Sequence, residues 1–345
     1  MSVTIKDVAK LASVAPSTVS RVIANSPRIS EKTKVRVKEA MEHLGYHPNF
    51  NARSLANKNT QALGIVLPSA ADIAFQNPFF PEVLRGISTK AQEEKYVLNM
   101  STGQSNEQIF NNVVQMVQGR RTDGVLLLYS QVEDEIIAYL QKQKFPFALI
   151  GKPFKDVNTI THVDNDNYKA SKTVAEYLIL LGHERIAFVG GNLDLVVTIE
   201  RLEGYEAALR QANIKYRDDY VVHEVFLKEG GQDAVVELMS LSDPPTALVV
   251  ADDIMALGVL RMLDNMGMSV PEDISIISFN NVMISELASP PLTTVDINIF
   301  SLGYEATKCL IHNIHFPASE AKRVIVPHKL IRRESCQKYT ITTGR

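Results

Sequence analysis

The sequence predicts a two-part chain: a small all-α head with helix-turn-helix spacing over residues 1–58, then an α/β body of two doubly wound subdomains over residues 59–345. Three observations carry this. Short stretches with apolar residues at i, i+3 and i+4 crowd residues 5–44. Apolar strand-like runs alternate with helical patterns from residue 62 onward. Charge is also split between the parts. Residues 1–60 hold ten Lys/Arg against four acids, a net of +6 in a chain whose total is −3, which leaves −9 for the rest. A basic head on an acidic body is the electrostatic footprint of a phosphate-binding module attached to a different kind of unit.

Thr4 with Asp7 three residues on is a variant capping box that starts a first helix near Ile5, with Val8, Ala9 and Ala12 inward. A break at Ser13-Val14-Ala15 follows. Pro16 suits the first turn of a second helix, where its missing N–H has no helical partner to lose. Val19, Val22 and Ile23 form that helix's buried stripe, so Ser17, Thr18, Ser20 and Arg21 face outward. Ser30 is the expected N-cap of a third helix, with Glu31 favourable to its dipole. Val35, Met41 and Leu44 are expected to close the small core. The second helix of such a pair fits the major groove, and Arg21 suits a guanine edge. A plain three-helix bundle with solvated polar residues would show the same pattern. The segment after Gly45-Tyr46-His47-Pro48 narrows the choice. Residues 49–57 are compatible with a short helix, marginal on its own, that carries one prominent apolar residue, Leu55. An apolar wedge on a frail helix can enter the minor groove and fold on binding.

The strand-like runs of the body are Leu63–Leu67, Tyr96–Met100, Val125–Leu128, Phe147–Ile150, Ile186–Val189, Ala247–Val250 and Ile274–Ser278. Helical patterns lie near 81–94, 105–118, 133–143, 165–181, 199–212, 231–240 and 254–266. This alternation argues for parallel sheets with covering helices. Such sheets bind ligands beyond the carboxyl ends of their strands, so two of them facing each other place a cleft between them. Arg201 offers a fork of donors there, although an exposed helix Arg would look the same. Asp252 and Asn280 follow strands and suit vicinal hydroxyls. Phe75, Phe80 and Phe226 can wall a sugar face or simply pack. Gly190-Gly191 reads as a turn, and His162 and His183 as structural hydrogen-bonders.

Other classes are disfavoured. Cys309 and Cys336 have no metal or redox spacing, so neither a metal site nor a cofactor is expected. The opening MSVTIKDVAK has no apolar signal region and no run of about 18 apolar residues occurs, so a cytoplasmic protein is expected. No nucleophile elbow, zinc-helix motif, phosphate loop or Cys/His cluster appears, and no enzymatic role is expected. A secreted sugar-binding protein would share the body but not the basic head.

The head resembles the LacI/GalR family of bacterial repressors. The resemblance rests on Asp7-Val8-Ala9, Ser17-Thr18-Val19-Ser20-Arg21-Val22, Thr33 with Val37, Gly45-Tyr46-His47-Pro48-Asn49, and Ala52-Arg53 with Leu55. In the body it rests on Asn77-Pro78-Phe79-Phe80, Val163-Asp164-Asn165, Gly182-His183, Arg201 with Gly204-Tyr205, Ala251-Asp252-Asp253 and Ser278-Phe279-Asn280. It implies a hinge helix over 49–57 with Leu55 as wedge, a periplasmic-binding-protein-like core, and a dimer on a pseudo-palindromic operator. The implied DNA-binding residues are Thr4, Ser17, Thr18, Ser20, Arg21, Asn25, Asn49, Arg53, Leu55 and Lys58. The implied effector residues are Phe75, Asn77, Phe80, Arg201, Phe226, Asp252 and Asn280. Subdomain 1 is expected at about 62–161 and 292–322, and subdomain 2 at about 162–291 and 323–345. Two departures touch the head. The family usually has Gly where Ser13 stands, so Ser13 must take a positive φ or the turn must shift. It usually has a Ser cap where Ala15 stands. Asn77-Pro78-Phe79-Phe80-Pro81 and Ile150-Gly151-Lys152-Pro153 are similar to maltose-operon repressors of Gram-positive bacteria, which implies maltose or a related α-glucoside as effector. The alternative is a catabolite-control regulator of the same family, acting with a phosphorylated carrier protein. The sequence alone does not separate an inducer from a co-repressor, or a dimer from a tetramer.

Overall fold

The computed structural model describes residues 3–23, 25–46, 59–68 and 74–340. The chain divides into two compact units, residues 1–60 and 61–345. The expected features at residues 47–58, including Asn49, Arg53, Leu55 and Lys58, lie outside the described residues.

In the first unit, α1 (Ile5–Leu11), α2 (Pro16–Ile23) and α3 (Glu31–His43) enclose Val8, Ala9, Ala12, Val19, Val22, Val37 and Ala40. Asp7 accepts from both the Thr4 amide (2.8 Å) and its hydroxyl (2.7 Å), which caps α1. Ser30 caps α3 by accepting from Thr33 N at 3.3 Å. Ser13 takes the positive φ, +50°, and so makes the turn between α1 and α2 without glycine. The Ala15 carbonyl accepts the Thr18 and Val19 amides. One core expectation is corrected. Val35 is 53% exposed, and Val37 is buried in its place. Val37, Ala40, Met41 and Leu44 share a helical face, and Val35 lies about 200° around α3 from Val37.

The second unit holds two lobes. The first lobe contains β1 (Ala62–Val66), α4 (Phe79–Glu93), β2 (Val97–Ser101), α5 (Asn106–Gln118), β3 (Gly124–Leu127), α6 (Glu135–Gln143), β4 (Phe147–Ile150) and β5 (His162–Asp164). The second contains α7 (Asn167–Leu180), β6 (Ile186–Gly190), α8 (Val196–Gln211), β7 (Val221–His223), α9 (Lys228–Met239), β8 (Ala247–Val250), α10 (Asp253–Asn265), β9 (Ser275–Phe279), α11 (Met283–Leu287) and β10 (Thr293–Asp296). The chain then returns to the first lobe with α12 (Ile299–His315) and β11 (Arg323–Ile325), and ends in the second with β12 (Lys329–Ile331). The first sheet runs β11-β5-β4-β3-β1-β2, all parallel. The second runs β12-β10-β9-β8-β6-β7, parallel except for β12.

Helices cover both faces of each sheet, which is why the central strands are apolar throughout rather than alternating. Leu63 and Ile65 face Val83, Ile87 and Leu302, whereas Val66 faces Ile109 and Val113. In the second lobe Phe188 and Val249 pack towards Tyr205 and Val174, and Val189 and Val250 towards Val235 and Val259. Three crossings join the lobes, at 164–167, 296–299 and 325–329. Each boundary thus falls three to five residues beyond the expected 161, 291 and 322. The displaced residues are short strands, β5, β10 and β11, that complete a sheet before the chain leaves it.

Candidate functional site

Among the described residues, α2 carries most of those expected to face DNA. Its buried stripe, Val19 and Val22, turns Ser17, Ser20 and Arg21 to the exposed side, with Thr18 half-buried beside them. Asn25 is exposed just beyond the helix at φ +50°. The Thr4 hydroxyl is held by Asp7. Hydroxyls and a guanidinium on one short helix supply both donors and acceptors for base edges.

Between the lobes lies a cavity of about 380 Å³. Strand ends and helix starts build it. Asp252 lies just beyond the end of β8 and caps α10, accepting from Ile254 N at 2.7 Å. Its other oxygen accepts from Asn280 Nδ2 at 2.7 Å and from Asn77 Nδ2 at 2.9 Å. Asn280 follows β9 at φ +107°, and Asn77 precedes α4 in the opposite lobe. Val197, Glu200 and Arg201 sit at i, i+3 and i+4 on α8, so one helical face enters the cleft. Arg201 donates from Nε to Asn167 at 3.1 Å and from Nη1 to the Ala251 carbonyl at 2.6 Å. Its guanidinium lies 4.2 Å over the Phe279 ring. Phe79, Phe80, Leu128, Ile150 and Phe226 form apolar wall.

Arg201 is 4% exposed. Burial pulls its pKa down to about 10, while Asp252, Asp164 and Asp253 oppose that, so it stays charged at neutral pH. Burial pushes Asp252 up to about 6, against hydrogen bonds from Asn77 and Ile254 that hold it down. Burial, with Glu200 nearby, pushes Asp164 up to about 7. Because these folded pKa values are raised, the folded state keeps protons that the unfolded chain has lost. These two carboxyls therefore contribute a loss of stability as pH rises from about 4 towards 7. Asp164→Asn should make this slope shallower, with a gain over wild type at pH 8 that vanishes at pH 4. Urea midpoints across that range measure it, and parallel curves for the two proteins would refute it.

The sites expected at Asn77, Phe80, Arg201, Phe226, Asp252 and Asn280 come together on this cavity. Phe75 does not line it and is 41% exposed. Its neighbour Ala74 is the residue turned inward. The alternative of an exposed helix Arg is excluded for Arg201. His162 and His183 are held by the Ile160 carbonyl and the Thr246 hydroxyl, as structural residues are. Sequence reasoning missed a second polar pole. Lys152 Nζ pairs with Glu200 Oε1 at 2.6 Å across the cleft, and the Ser130 hydroxyl donates to the Lys152 carbonyl. Asn167 donates to Asp164 at 3.0 Å. The strand-end rule would have found Asp164, but β5 is three residues long and gives no periodicity. At the rim, Val132 N donates to Asp194 O and Val196 N to Ser130 O, so backbone also joins the lobes.

An exposed polar helix face in one unit and a hydrogen-bonding cleft between the lobes of the other fit the class of ligand-responsive transcription regulators. Residues 4–49 match the bacterial regulatory proteins of the lacI family, and residues 175–336 match a periplasmic binding protein-like domain. The regulator MalR of Streptococcus pneumoniae is 39% identical over 340 residues, covering 96% of this chain and all of that one. A crystallised LacI-type regulator from Bacillus cereus subsp. cytotoxis shares 55% identity, with a TM-score of 0.80 over 81% of this chain and 99% of its own. The complex of the regulator CelR with cellobiose shares 31%, with a TM-score of 0.77 over 96% and 99%. This chain belongs to the LacI family.

Proposed function

We propose that this regulator is a cytoplasmic homodimer that represses a sugar-utilisation operon and takes maltose or a related α-glucoside in the inter-lobe cleft. The observation that carries the reading is the cleft itself. Arg201, Asp252, Asn280 and Asn77 offer clustered donors and acceptors beside an apolar wall, which is the surface a sugar with one polar edge and one apolar face requires. A crystallised Staphylococcus relative described as a probable maltose operon repressor supports maltose, and the cellobiose in the CelR complex supports a disaccharide in this kind of cleft. Among the described residues no helix is long and apolar enough to cross a membrane, which fits a cytoplasmic protein. The role is binding rather than catalysis. Two-fold symmetric heads would read a pseudo-palindromic operator, with Ser17, Thr18, Ser20 and Arg21 in the major groove. The sugar acts by binding one lobe arrangement more tightly than the other, since equal affinity would shift nothing.

Operator binding by the full chain, measured against mono- and disaccharides, tests the reading. Maltose is expected to change operator affinity at least tenfold, and glucose or lactose not. A chain of residues 61–345 is expected to lose all operator binding and to keep its affinity for maltose, because the two units have separate cores. Loss of both activities, or of neither, would defeat the two-module scheme. If the phosphorylated carrier protein strengthens operator binding and sugars alone leave it unchanged, the catabolite-control alternative stands instead.

A further inference from the structure

We infer that Asn165 pins the three crossings between the lobes together and is the pivot about which the lobes turn. Asn165 lies on the first crossing, between β5 and α7, and is 3% exposed. Its Nδ2 group donates at 2.9 Å to the Ile297 carbonyl, on the second crossing. The same group donates at 2.9 Å to the Val326 carbonyl, on the third. One side chain thereby spends both its protons on the two other crossing segments. The backbone adds to the join, because Val326 N donates to Asp164 O at 2.8 Å.

Buried crossings with unmatched carbonyls would be unfavourable, so these bonds hold the segments in register. A hinge fastened at one point can rotate but cannot let its strands slide past one another. The pin also touches the cleft. Asn165 and Ile297 both line it. The Asn165 carbonyl accepts Asn167 N at 2.9 Å, and Asn167 holds Arg201. A group bound at Arg201 is therefore two side chains from the pivot. Asn165 is a positioning residue: it acts on the lobe angle through the crossings. The pinning itself stands whether or not the effector is a sugar. Only its consequence for regulation rests on the function proposed above.

Hydrogen–deuterium exchange of the full chain, without added sugar, tests the pin directly. In Asn165→Ala the amides of Val326 and Asn167 are expected to exchange at least tenfold faster than in wild type. Amides of Ile65 in β1 and Val249 in β8, interior strands of the two sheets, are expected to keep wild-type rates. Asn165→Ser keeps one donor and should give an intermediate increase, and it serves where the alanine variant does not fold. Unchanged rates at the crossings would overturn the inference. So would a rise spread evenly over both sheets, which is what a residue of general stability alone would give. A second arm measures operator affinity with and without maltose. Asn165→Ala is expected to reduce the maltose-induced shift. If wild type shows no maltose shift while the exchange pattern holds, the choice of effector fails and the pivot does not.

Discussion

Arg201→Ala is expected to destabilise the two-lobed core by about 3–5 kcal/mol, the usual result of removing one partner from a buried charge cluster. The residue is enclosed, and three acids with raised pKa values lie around it: Asp164, Asp252 and Asp253. Without the guanidinium those carboxyls lose their compensating charge and titrate higher still. The Asn167 side-chain oxygen and the Ala251 carbonyl each lose a donor. Arg201→Lys should recover only part, because an ammonium on a flexible stem cannot reproduce two fixed donors over an aromatic ring. The urea midpoint reads the stability, and titration with maltose reads the cleft, where binding should fall below detection in the alanine variant. A midpoint unchanged at pH 7.5 would show that the surrounding acids do not depend on Arg201.

Gly303→Val is expected to destabilise by about 3 kcal/mol or more through overpacking, and Gly303→Ala by about 1–3 kcal/mol. Here α12 crosses α4 backbone to backbone. A side chain on Gly303 would meet the Val83 carbonyl, and one on Gly86 would meet the Phe300 carbonyl. Those obstacles are main chain and cannot rotate away. The same device recurs in the second lobe, where Gly231 faces Met255 and Gly258 faces Lys228, so α9 and α10 also approach through glycine. The expected signature is a lower urea midpoint at unchanged slope. A slope that falls with the midpoint would show instead that the helices separate in the folded protein.

Much of this architecture is legible in the chain. The seven apolar runs and seven helical patterns of the body correspond to the long elements of the two lobes, because each buries a face wide enough to set a period. Most of the elements missed lack such a period. β5, β7, β11 and β12 are three residues each, and their pairing is decided by neighbours distant in sequence. α12 is a different case. Ile299, Leu302, Ala306, Cys309 and Leu310 are spaced as one buried helical face, so its signal was present and unread. In the cleft, residues beside recognisable strands, such as Asp252 and Asn280, were found. Lys152 and Glu200 were not, since a cross-lobe ion pair 48 positions apart depends on how two lobes face each other. Val35 was misplaced because α3 was read without its phase.

The closing segment 323–331 has a consequence for biogenesis. β11 finishes one sheet and β12 the other, and both leave the ribosome after every other strand has been made. Until then β5 and β10 stand as unpaired edges of apolar sheets, the kind of template on which nascent chains stick together. A premature stop between residues 297 and 322 should therefore yield insoluble product rather than a smaller working sensor.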